Sequence, residues 1–179
     1  PHNAEDCLSV IRRLNGSIRL ILEAILADTA SIDKVAAGSY SHVNGFDKIS
    51  LWRWPNAAKC RLHIWWNSLP YTEEIHTHRW DFASAILAGS LHSKFFISSA
   101  GADWIPTVCR TEVDHYAFEP ASDPCGLVQT LETSLSPGNS YALHHDQLHS
   151  VHTHIGPPTI TAVITGPPLR QTSTVLRRN

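Results

Sequence analysis

The chain has 179 residues, 42% of them hydrophobic and 17% charged, with a formal net charge of −2. That length suits one domain with its own core and is short for two, and the composition is that of a globular rather than a disordered protein. A near-neutral chain with no basic stripe interleaved with aromatics speaks against nucleic acid as a partner. The early apolar stretch is interrupted by Arg12, Arg13, Asn15, Gly16 and Arg19, so neither a membrane span nor a signal peptide is read, and a cytoplasmic protein with no membrane partner is expected. Cys7, Cys60, Cys109 and Cys125 form no Cys-x-x-Cys pair and are expected to be reduced, buried small hydrophobes.

In chain order, Cys7, Leu8, Ile11, Leu14, Ile18, Ile21, Leu22 and Ile25 recur at three- and four-residue intervals, the apolar stripe of an amphipathic helix that Asn15-Gly16 would break or kink. From about Ser39 the pattern changes to short runs of β-branched and aromatic residues separated by Asn-Gly, Pro and Gly signals. Strands are expected over Asp47 to Trp54, Lys59 to Trp66, Glu74 to Leu87, Ser90 to Ser98, Trp104 to Arg110, Val113 to Phe118, Gly126 to Leu135, Ser140 to Leu143, Leu148 to His152 and Thr159 to Thr165. So many short strands predict a mainly β sandwich or closed barrel. Residues 1–37 are read as a helical segment packed on the barrel, 38–168 as the barrel and 169–179 as a polar tail, an arm or frayed end. Glu119 to Gly126 reads as a loop over the barrel mouth. The six tryptophans are expected to fill the space between sheets.

The chemistry is concentrated in histidines. His76 and His78, one residue apart on a strand, project to the same side, so both can reach one metal ion. A third imidazole from a distant strand would complete one face of a coordination sphere and leave other positions open. His149 is the candidate, with His144 and His145 as rivals. His152 and His154 lie on the opposite face from His149 by parity and are expected to be a surface pair.

The run from His76-Thr77-His78 through Asp81, Phe82 and Ala83 to Gly89 resembles the first motif of the cupin superfamily, and Pro137-Gly138 through His149-Ser150-Val151 resembles its second. The resemblance implies a double-stranded β-helix, or jelly-roll barrel, holding one divalent metal ion. Where the family usually carries a glutamate this chain has Phe82 or Ala83, which leaves a neutral three-histidine set of His76, His78 and His149. That set is similar to the thiol dioxygenase and gentisate-type branches, and implies Fe(II) as the metal, dioxygen as co-substrate and a small-molecule substrate; Zn(II) fits the same ligands.

Counting by two from His76 also brings Trp80, Phe82 and Ser84 to the inner face as substrate contacts and Glu74 as a carboxylate orienting a ligand, with Asp81 outside. On Lys59 to Trp66, Arg61, His63 and Trp65 alternate against Leu62, Ile64 and Trp66. With the mixed face inward, Arg61 is an anchor for a substrate carboxylate, a role the resemblance to thiol dioxygenases also implies, and His63 is a titratable catalytic group near the metal. Tyr141 is a further candidate for a catalytic hydroxyl. The expected function is a non-haem iron dioxygenase of small polar or carboxylate-bearing metabolites. Non-oxidative zinc chemistry (isomerase, lyase or rearrangement) and a ligand-binding barrel without turnover are the alternatives, and a homodimer is allowed for.

Overall fold

The computed structural model describes residues 1–111, 116–121 and 123–179. Three helices come first: α1 (Ala4–Asn15), α2 (Ile18–Leu26) and α3 (Thr29–Ala37). The single helix expected from the apolar stripe is thus divided. The Asn3 side chain caps α1 by accepting from the Asp6 N–H, and Asp28 caps α3 by accepting from the Ser31 N–H, each satisfying a backbone donor that the first helical turn leaves open. Gly16 closes α1.

Thirteen strands follow among the described residues: β1 (Tyr40–His42), β2 (Phe46–Arg53), β3 (Lys59–Trp65), β4 (Tyr71–Thr72), β5 (Ile75–His76), β6 (Phe82–Ala88), β7 (Leu91–Thr111), β8 (Tyr116–Pro120), β9 (Cys125–Leu135), β10 (Ser140–Leu143), β11 (Leu148–Thr153), β12 (Thr159–Thr165) and β13 (Thr172–Arg178). They make two sheets. One runs β1-β2-β3-β12-β6-β10; the other runs β4-β11-β5-β13-β7-β8, with β9 also paired to β7 and β7 to β11. All pairings are antiparallel, and the fold is mainly β with N-terminal helices, as the sequence predicts.

Four expectations are corrected. Glu74 to Leu87 is not one strand: residues 77–81 leave the sheet, because the Thr77 N–H donates to Thr174 and the His78 N–H to His145 instead of to a ladder neighbour. Ser90 to Ser98 and Trp104 to Arg110 are one strand, β7, whose pairing with β9 shifts register between Ser99 and Trp104. The segment read as a tail holds β13, hydrogen-bonded between β5 and β7, with Val175 and Leu176 buried. The tryptophans do not share one role: Trp65 is buried with Phe46, Trp52 and Trp54 pack on the cluster beneath the helices, and Trp66 is exposed. Of the expected strand Val113 to Phe118, residues 113–115 lie outside the described residues.

The helices cover the outer face of the first sheet. Cys7 and Ile11 of α1 are fully buried with Cys60, Leu62, Ala83, Ala85, Ala162 and Ile164, all from strand positions whose neighbours face the other way. Truncating Ile11 to Ala would cost about 2–5 kcal/mol, the usual range for emptying a core position. The small Ala83, Ala85 and Ala162 let α1 pack closely on β6 and β12. Because that face is committed to the helices, the alternate residues of β3, β6 and β12 are free to build a polar interior between the sheets.

Two glycines fix the turns of the motifs. Gly89, at φ +70°, leaves no room for a side chain: a Cβ there would lie 2.6 Å from the Pro158 carbonyl oxygen. Gly138, at φ +92°, makes the turn that leads into β10, a backbone shape that other residues rarely adopt.

Candidate metal centre

His76, His78 and His149 converge between the sheets. Their ligand nitrogens lie within 4.8 Å of one another, and no carboxylate joins the cluster among the described residues. His76 sits on β5 directly opposite His149 on β11, while His78 follows the strand and is positioned by the backbone bond to His145. His78 Nε2 and His149 Nε2 are 2.8 Å apart, close to the roughly 3 Å that two nitrogens show when each is about 2.1 Å from one ion at a right angle.

Two of the three rings are held in the neutral form, in which imidazole binds a metal. Burial first, and then the neighbouring histidines, hold His78 and His149 well below the usual imidazole range. Phe82 lies edge-on to His78 at 4.7 Å and Phe95 stacks on His149 at 6.3 Å between centroids. His76 Nδ1 donates to the Glu74 carbonyl oxygen at 2.8 Å, which turns its Nε2 toward the centre. This corrects the role expected for Glu74: its backbone orients His76, but its carboxylate is exposed and pairs with Arg177 at 3.0 Å. Residues 73 and 74 stand between β4 and β5, outside the ladder, so the parity count back from His76 does not hold there.

The rivals are held elsewhere. Asp81 Oδ1 accepts from both the backbone N–H and Nδ1 of His145 at 2.8 Å, and His144 Nδ1 lies 3.5 Å from Oδ2. Burial would raise the Asp81 carboxyl, but the bonds from His145 outweigh it and hold it below the usual carboxylate value. Asp81 therefore serves the loop beneath the site and is not part of the histidine cluster.

Every other candidate from the sequence lines the same cavity, of about 220 Å³: Arg61, His63, Trp80, Phe82, Ser84 and Tyr141. Strand register explains the grouping. Arg61 pairs with Val163, Val163 with Ser84, and Ser84 with Tyr141 across β3, β12, β6 and β10, so these side chains form one row on the inner face. Tyr141 bonds Ser84, and burial pushes its phenol well up. The Arg61 guanidinium lies 5.7 Å from the Trp80 ring centre. His63 is held far below the usual imidazole range by burial, then by Lys48 and Arg61. Its Nε2 and the Thr161 hydroxyl are buried with no hydrogen-bond partner among the described residues.

Sequence reasoning missed Lys48, Glu73 and His42, which also line the cavity. Lys48 pairs with His63 and His63 with Thr161, a second polar row beside the first. Burial, aided by Arg61, lowers the Lys48 ammonium to about 7. Glu73 is buried and its carboxyl is raised by burial, an effect that His76 and Lys48 oppose. His42 is lowered to about 3, by burial first and then by Lys48. The available signal was the alternation Phe46, Lys48 on β2, which puts the lysine on the same face as an inward phenylalanine.

No protein-family model matches the chain, and no curated protein matches it. Among solved structures it is similar to KdgF from Halomonas sp. (10% identity, 74% of this chain and 86% of that one, TM-score 0.44). It is also similar to DMSP lyase DddQ from Ruegeria pomeroyi (14%, 78% and 57%, 0.45) and protein SO0799 from Shewanella oneidensis (11%, 75% and 77%, 0.47). Likenesses at this level say nothing about chemistry, which rests on the residues above. No helix among the described residues is long and apolar enough to cross a membrane.

Proposed function

We propose that the chain is a cupin-type enzyme with one mononuclear metal ion held by His76, His78 and His149, acting on a small carboxylate-bearing metabolite. The observation that carries this reading is the pairing, in one cavity, of a cluster of three imidazoles that no carboxylate joins and a wall bearing Arg61 and Lys48. A site of that kind leaves a divalent ion its full positive charge, so both ends of the cavity favour an anion. At about 220 Å³ the cavity is below the roughly 300–1,000 Å³ of drug-sized pockets, which points to a substrate of few heavy atoms.

Ferrous iron in the site would supply oxidation of the bound substrate by dioxygen, and this is the reaction class proposed. The protein's part is binding and orientation. Arg61 offers a planar fork for a carboxylate and Lys48 a second charge beside it. His63 Nε2 and Thr161 Oγ1, buried without partners among the described residues, are available for a polar group in the middle of the substrate. Tyr141, fixed by Ser84, presents a protonated hydroxyl, and Phe82 and Trp80 keep the approach apolar and dry.

A second reading has its own support. Lys48, lowered to about 7 by burial, and Glu73, raised from its usual value by burial, both line the wall and offer a proton donor and acceptor, which suits non-oxidative isomerase or lyase chemistry at zinc. Elemental analysis of anaerobically purified protein, followed by oxygen-uptake assays on small acids and aminothiols, separates the two. Iron with substrate-dependent oxygen consumption supports the dioxygenase. Zinc, with turnover in the absence of oxygen, replaces it with the second reading.

A further inference from the structure

The outer face of the same sheet carries another histidine cluster that the cavity does not use. His152 on β11 stands directly opposite His92 on β7, and His154 follows two residues later. The three rings meet at centroid separations of 5.3, 4.6 and 5.7 Å, and their ligand nitrogens lie within 4.8 Å of one another. No hydrogen bond to those nitrogens is made among the described residues, and Glu132 Oε1 on β9 lies 3.8 Å from His152 Nε2. The same oxygen lies 3.7 Å from Lys94 Nζ, and Gln129 donates to the other carboxylate oxygen at 3.2 Å. His92 and His152 are half-buried and their rings stack, His154 is exposed, and Ser134, Lys94 and Glu132 beside them are polar, so the cluster faces no apolar core.

We infer that His92, His152 and His154, with Glu132 as fourth ligand, form a second metal site for a borderline divalent cation of the Zn²⁺ class. Three imidazoles and one carboxylate fill a tetrahedral shell with no open position, the pattern of a structural rather than a catalytic ion. Bound there, the ion ties β7, β9 and β11 together from outside. It shares no ligand with the inner centre, because residues three apart on β11 face opposite ways, so it stands whether or not the proposed reaction is right.

Zinc binding to the chelator-stripped full chain, read by equilibrium dialysis with elemental analysis, tests it. Wild type should take up two equivalents, His149→Ala one, His154→Ala one, and the double variant none. His154 is exposed, so its replacement leaves the fold in place, and His152→Ala should give the same loss. Zinc uptake that is the same in wild type, His154→Ala and His152→Ala, whatever its total, overturns the site; one equivalent lost in both variants supports it even if the inner centre takes none.

Discussion

His149 and His152 are three residues apart on β11 and project to opposite faces of one sheet, the first into the cavity beside Phe82, with Phe95 stacked on its ring, the second away from the cavity beside Glu132. Each belongs to a cluster of three imidazoles with similar spacing. What separates them is the company. The inner rings lie among aromatics, with His76 oriented by a backbone carbonyl, in a cavity that Arg61 and Lys48 also line, so an ion held there by three imidazoles would keep open positions. The outer rings have a carboxylate at hand and water around them, and an ion there would be enclosed by ligands. The residue type sets what can bind; the sheet face sets what the bound ion can do.

The largest expected effect comes from exchanging one histidine on each face. His149→Ala should remove most of the inner metal and abolish turnover, while His152→Ala should leave inner metal and turnover intact; elemental analysis with a rate assay checks both. Retention of turnover by His149→Ala would erase the distinction between the faces. Next in size is the charge opposite the inner site. Arg61→Leu should weaken substrate binding by about one to two orders of magnitude, equivalent to roughly 1.5–3 kcal/mol, with metal content unchanged. Arg61→Lys should recover only part, and Lys94→Leu on the outer face should change nothing in a substrate titration.

A smaller, pH-dependent effect belongs to Lys48. Its folded value of about 7 lies below the roughly 10.4 of an unfolded lysine, so between those values the unfolded chain binds the extra proton and stability rises with pH. Lys48→Met should remove that part of the rise, measured by denaturant unfolding from pH 6.5 upward; Lys59, lowered to about 8 chiefly by burial, keeps a slope of the same sign in the variant. Substrate binding should also weaken as pH passes through about 7, and lose that limb in Lys48→Met. The smallest change is Ser84→Ala, which deprives Tyr141 of its partner. It should cost about 1 kcal/mol, a thermal shift of roughly 2–4 °C, against no measurable shift for the exposed Ser134→Ala.

How far the sequence went depended on whether a local rule was also the deciding one. β10 and β12 were read to the residue because alternation and flanking turns agree there, and the alternation on β3 separates the residues that line the cavity from those under the helices. The convergence of His76, His78 and His149 was legible for the same reason, although the reading used a pleat that residues 77–81 do not have. The failures share a cause. Glu74 was counted inward from His76 although residues 73 and 74 stand between β4 and β5, outside the pleat, and β13 was passed over because Thr172, Ser173 and Thr174 look polar, while its partners on β5 and β7 are visible only once the sheet is closed. Nothing in the pattern around His92 announces its proximity to His152, since the pairing of β7 with β11 is long-range.

β5 has consequences for the order in which this molecule is made. It is two residues long and pairs on one side with His149 and on the other with Val175 and Leu176, so no local hairpin supports it. Such a strand gains nothing until both distant neighbours have arrived, and the loop-closure entropy of each must be met first. His76 is therefore placed late, after the rest of the β-sheet has condensed. A metal ion that needs His76 is a reporter of completed folding rather than a nucleus for it, and uptake should follow the slowest refolding phase instead of preceding it.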